Sequence, residues 1–217
     1  MPHGTCSHPP NPRFALIAVL AALLAAGCLS GCSRGMFTPT GVRLRSHERP
    51  VEFGPVPTAV AYIDRDTNTA DIYLTDFSRA ELAADTPLGD VTGTILHVHM
   101  FMRPRPGRTP IETTASTVSF RCAVIAGGQV GVYGGGGFLF PSGEPGDASF
   151  GGIIRNASAR LLAGTPGFVD RLGAARLDAS LNAPRDPALA KLIDRRLDLA
   201  LRAAGTTAAD TVSDKSP

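Results

Sequence analysis

The chain has 217 residues, enough for one domain or at most two small ones. Lys and Arg number 21 against 19 Asp and Glu, so no charge excess points to a nucleic-acid partner. Hydrophobic residues at 43% exclude wholesale disorder, and four cysteines are too few for a scaffold built on disulfides.

The first element is an export signal. Arg13 and the α-amino group precede Phe14–Leu29, a run of sixteen residues without a charge. As a helix it spans ~24 Å, short of a ~30 Å hydrocarbon core. A positive start, a short apolar run and small residues after it describe a secretory signal peptide rather than an uncleaved anchor. The run ends in Leu29-Ser30-Gly31-Cys32, which resembles the lipobox of bacterial lipoproteins. Ala25-Ala26-Gly27-Cys28 is a weaker match, with Ala in place of the leading Leu. The resemblance covers about residues 13–33 and leaves the rest of the chain unassigned. It implies a diacylglyceryl group (palmitate-type acyl chains) on the Cys32 thiol, cleavage of residues 1–31, and acylation of the new amino terminus. The membrane is then a partner through lipid. Ser33 stands where lipoproteins kept at the inner membrane often carry Asp, which implies the outer membrane in a source that has one.

Loss of the signal takes Cys6 and Cys28 with it, and lipid consumes Cys32. Cys122 is left alone, so no internal disulfide is expected. It lies in Val118–Ile125, a strand-like run, and reads as a small buried hydrophobe rather than a nucleophile.

Residues 32–50 read as the lipidated cysteine and a tether, polar and broken by Pro39 and Pro50. Arg34, Arg43, Arg45 and Arg49 could touch anionic headgroups, and Val42 and Leu44 could begin an edge strand. A single globular domain is expected over 51–205. Thr58–Asp64 and Ala70–Thr75 are short β-prone runs around a polar turn. Ser78-Arg79-Ala80-Glu81 is a capping-box pattern that predicts a helix over 79–84. Further strand-like runs lie at about 91–103, 111–126, 129–140 and 149–163. Short turns between such runs favour antiparallel pairing, because parallel crossovers need a dozen or more residues.

Two helices are expected to close the domain. Thr165-Pro166 looks like a cap followed by Pro at the first helical position, with Gly173 as the stop. Asp186-Pro187 repeats that start for a helix to about Ala204, ended by Gly205. Leu189, Leu192, Ile193, Leu197, Ala200, Leu201 and Ala204 form one apolar stripe. The polar face mixes Lys191, Asp194, Arg195, Asp198 and Arg202, which suits packing on a sheet better than lying on a membrane. Residues 206–217 read as a polar, disordered tail. The fold class is α+β and strand-dominated: an antiparallel curled sheet, a sandwich or partial barrel, with the C-terminal amphipathic helix packed on it.

His97-Val98-His99 is the sharpest candidate site. Strand alternation puts both imidazoles on one face about 6–7 Å apart, a geometry that can share zinc or copper. A third ligand would have to be His47, or Cys122 if the strand register brings it to that face. Met100 and Met102 alternate with the histidines and should face the other way. Asp64-Arg65-Asp66-Thr67-Asn68 begins like a calcium loop, but Thr69 and Thr75 stand where an EF-hand needs Gly and Glu. A hairpin turn is the simpler reading. Gly131–Phe138 fits neither the Rossmann nor the P-loop spacing, so its glycines should mark a kink or a bulky neighbour lying across the strand. Asn156-Ala157-Ser158 is a glycosylation sequon by pattern, without meaning in a bacterial envelope. Hydrolase signatures (G-x-S-x-G, S-x-x-K, H-E-x-x-H) are missing.

Three functions remain open on these residues. The first is a non-enzymatic lipid-anchored module that binds or scaffolds another envelope protein or polymer. The second is a periplasmic metal-binding module using His97 and His99. The third is a hydrolase or transferase pairing Cys122 with a histidine.

Overall fold

A computed structural model describes residues 40–84, 86–105, 107 and 115–205. The segment expected as a signal peptide, Cys32 and the expected tail from residue 206 lie outside them. The strands are β1 (Gly41–Ser46), β2 (Glu52–Phe53), β3 (Ala59–Asp64), β4 (Ala70–Thr75), β5 (Gly93–Met100), β6 (Val118–Ala126), β7 (Gln129–Gly137), β8 (Leu139–Ser142), β9 (Ser149–Gly164) and β10 (Ala175–Pro184). Two α-helices join them, α1 (Arg79–Ala83) after β4 and α2 (Pro187–Ala203) at the end.

All ten strands belong to one antiparallel sheet in the order β2-β1-β10-β9-β7-β6-β5-β4-β3, with β8 beside β9. The sheet curls until β3 meets the end of β10, where Tyr62 and Arg185 form a bridge. Arg185 clasps Asp64 with two charge-assisted hydrogen bonds, Nε to Oδ1 at 2.7 Å and Nη2 to Oδ2 at 3.0 Å. The expected curled sheet with a helix packed on it is therefore present.

Strand alternation sorts the side chains into two cores. Ile72, Leu74, Leu96, Val98, Met100, Phe120, Cys122, Tyr133 and Ile154 fill the inside of the curl. Tyr73, Ile95, Ala123, Ile125 and Val132 point outward and meet Leu189, Ile193, Leu197, Ala200 and Leu201 of α2. Each fully buried aliphatic side chain contributes about 1.5–3 kcal/mol. Two-sided burial explains why the central strands read as apolar runs rather than clean alternations.

Both helix starts that carry a cap behave as expected. Ser78 accepts from the Glu81 backbone N–H while the Glu81 carboxylate accepts from that of Ser78. Asp186 accepts from the Leu189 N–H at 2.9 Å, and Gly205 ends α2 in the left-handed region at φ +81°. One side chain breaks the helix pattern. Arg196 is 3% exposed, with its guanidinium over the Phe77 ring and Nη1 donating to the Thr86 carbonyl.

Three expectations need correction. The helix read from Thr165-Pro166 is absent: residues 165–174 form turns, with the Phe168 N–H bonded to the Thr165 carbonyl at 2.9 Å. The Thr165 hydroxyl, taken for a cap, instead accepts from the Val130 N–H and donates to Gln129. Residues 175–184, where no element is expected, are a strand whose burial alternates along its length. Small inward residues (Ala175, Ala179, Ala183) disguised that alternation. Finally, part of the segment expected as a tether, residues 41–46, is folded into the sheet. β1 lies inside the sheet between β2 and β10, with Leu44 0% exposed. Arg43 and Arg45 are paired with Glu52, and Arg49 donates to the Asp170 and Arg171 carbonyls.

The glycines of β7 match the reading of close neighbours. A Cβ at Gly131 would stand 2.1 Å from the Phe168 ring, and one at Gly134 would stand 2.4 Å from Leu162. The β7–β9 ladder also slips at Val132/Tyr133, an irregularity of the kind that bends a sheet.

Candidate functional site

The histidines sit on the outer face of β5, just beyond the area covered by α2. Cross-strand pairing sets Asp71 of β4 opposite His99 and Tyr73 opposite His97. On the other side, Arg121 of β6 stands opposite His97 and Ser119 opposite His99. The two imidazole centroids are 6.4 Å apart, the spacing that alternation predicts.

Asp71 organises this face. It is 0% exposed, and Nε2 of His97 and Nδ1 of His99 each lie 2.8 Å from its Oδ1. Arg65, from the β3–β4 turn, donates through Nε to Oδ2. Burial by itself raises the Asp71 pKa, but hydrogen bonds from His97, His99 and Arg65 outweigh it and hold the carboxyl well below the usual carboxylate range. An ionised carboxylate can only accept, so His97 carries a hydrogen on Nε2 and His99 carries one on Nδ1. Nδ1 of His97 and Nε2 of His99 have no hydrogen-bond partner among the described residues.

Tyr73 ties the site to the helix. Its ring stacks on His97 with centroids 4.5 Å apart and planes 7° from parallel, and its hydroxyl donates to Asp194 of α2 at 3.1 Å. Burial, reinforced by Asp194, raises the Tyr73 pKa, so the phenol stays a donor. A cavity of about 510 Å³ opens over Asp71, His97, His99 and Arg121, with Leu162 at its wall. That volume lies in the range of small-molecule sites.

The chain matches no protein-family model, no curated protein and no solved structure.

The partners considered for the histidines are elsewhere. Cys122 pairs with Leu96 in the ladder and points into the inner core, the face opposite both imidazoles. A Cys122–histidine dyad is therefore not formed. Burial pushes the thiol up to about 12, with Asp76 adding to the effect. A thiol-reactive probe is expected to label the Cys122 peptide only after denaturation, as read by mass spectrometry; labelling of the folded protein would contradict its sealed position. His47 follows β1, its backbone bonded to Ala174, and does not line the cavity. Met100 faces the inner core, as alternation predicts.

Among the described residues no group of three or more His, Cys, Asp or Glu is arranged to hold a metal ion. One ring nitrogen of each histidine, Nε2 of His97 and Nδ1 of His99, is taken up by the Asp71 oxygen between them. Asp64 and Asp66 do not form a calcium loop either. Asp64 is clasped by Arg185, and Asp66 accepts from the Asn68 and Thr69 N–H groups in a hairpin turn.

Asp71 is the residue that sequence reasoning missed. A signal existed: it is the one charged residue within the apolar run Ala70–Leu74. A buried carboxylate demands partners, and the histidine pair was the unassigned polar group.

Proposed function

We propose that this protein is a lipid-anchored component of the bacterial envelope, held through Cys32, whose sheet domain is a non-enzymatic binding module. It belongs to the outer membrane where the source has one. The anchor is supported by Leu29-Ser30-Gly31-Cys32 at the end of the apolar run. Binding is supported by one observation above all: a cavity of about 510 Å³ over an oriented pair of histidines whose outer nitrogens are free among the described residues. The buried carboxylate behind them removes the freedom of both rings, so little order need be gained when a ligand binds. A non-enzymatic role fits the position of Cys122, the candidate nucleophile, inside the inner core.

Metabolic labelling tests the anchor. Cells fed radioactive palmitate should yield labelled protein, and Cys32→Ala should abolish the label and leave the protein in the unprocessed form. Equal labelling of that variant rules out Cys32 as the attachment point. Two or three acyl chains hold a protein at a bilayer, whereas one gives only marginal binding.

A further inference from the structure

Resting on that binding reading, the unmatched charge of the cavity says which chemistry it takes. Arg65 and Asp71 form an ion pair and cancel. Arg121, directly across the ladder from His97, has no hydrogen bond or ion pair among the described residues. Asp198 of α2 acts on it only at longer range, without an ion pair. Ser119, opposite His99, offers a hydroxyl likewise without a partner among the described residues. Arg121 and Ser119 on β6 therefore border His97 and His99 on β5 in one patch, with the Asp71 carboxylate saturated by three donors behind it.

We propose that this patch binds an oxyanion, a carboxylate or phosphate group of a small ligand, with the Arg121 guanidinium as its main contact and Ser119 beside it. A guanidinium presents a planar fork of donors that matches two oxygens of either group. Partial withdrawal from water strengthens that attraction, because Arg121 is only partly exposed. Leu162, 47% exposed and folded over Gly134, gives the non-ionic part of the ligand an apolar wall.

The test uses the mature lipidated protein in an uncharged detergent. Inorganic phosphate, acetate, glucose and zinc are titrated separately, followed by calorimetry and by the imidazole resonances of His97 and His99. Saturable shifts with phosphate or acetate are expected, and the stronger of the two identifies the headgroup geometry. Arg121→Gln should weaken that binding by about tenfold. Arg121→Lys should keep part of it, and Arg195→Gln, on the exposed face of α2, should leave it unchanged. Anion binding that Arg121→Gln does not alter would overturn the assignment. A saturable response to glucose or zinc with none to either anion removes the oxyanion but leaves a binding cavity. Silence toward all four probes removes both.

Discussion

Asp71→Asn is expected to lower the stability of the folded domain by about 3 kcal/mol at neutral pH, the usual cost of removing one partner from a buried ion-paired cluster. The substitution keeps the volume but withdraws the charge that three donors share. An amide also has one acceptor oxygen where the carboxylate has two, so its NH2 must face either the histidine pair or the Arg65 Nε–H. The effect carries a defined pH signature. The Asp71 carboxyl ionises more readily in the folded protein than in the unfolded chain, where its value is about 3.9. Its contribution is therefore complete above that value and is lost as pH falls through the lower folded value. The gap between wild type and Asp71→Asn should be fully present at pH 7 and should narrow steadily below about pH 4. Urea unfolding at pH 7 and at pH 3 measures both numbers. A gap that stays constant across that range would mean that Asp71 is not the ionised anchor of the cluster.

The second large effect is steric. A methyl group at Gly135 would stand 1.7 Å from the Ser158 carbonyl oxygen, and neither backbone can retreat without breaking the β7–β9 ladder. Gly135→Ala should destabilise by about 3 kcal/mol or more, at the upper end for overpacking. For a domain of this size that is a fall of about 10 °C in Tm. Calorimetric melting checks it. Gly89→Ala provides the control, because a Cβ there meets nothing within 4 Å. Equal melting temperatures for the two variants would show that β9 lies farther from β7 than described.

The chemistry of the site lies between elements, which is why only half of it was legible beforehand. His97 and His99 share a face by the period of a single strand, and their 6.4 Å separation follows from it. Asp71, Arg121 and Ser119 reach them only through the registers of two neighbouring strands. A shift of one residue on β6 would exchange Arg121 for Phe120 or Cys122. The same limit explains the helix wrongly expected over 165–173. Thr165-Pro166 satisfies a local rule for helix starts, yet the Thr165 hydroxyl is claimed by Gln129 and Val130 of β7. Tertiary hydrogen bonds overrode a local preference. By contrast α2 was read almost to the residue, because its cap, its apolar stripe and its terminal glycine all lie within one stretch of chain.

Length and composition excluded wholesale disorder and a disulfide scaffold, and local pattern alone determined the long helix, the face shared by the two histidines and the lipobox-like segment ending at Cys32. Tertiary structure decided that Cys122 is sealed inside the curl, that residues 41–46 belong to the sheet, and that one buried carboxylate holds both imidazoles beside Arg121, which has no ion pair among the described residues. The reason is the range of the forces. Alternation and capping act over a few consecutive residues, whereas a site built across β4, β5 and β6 depends on strand registers that no single segment encodes.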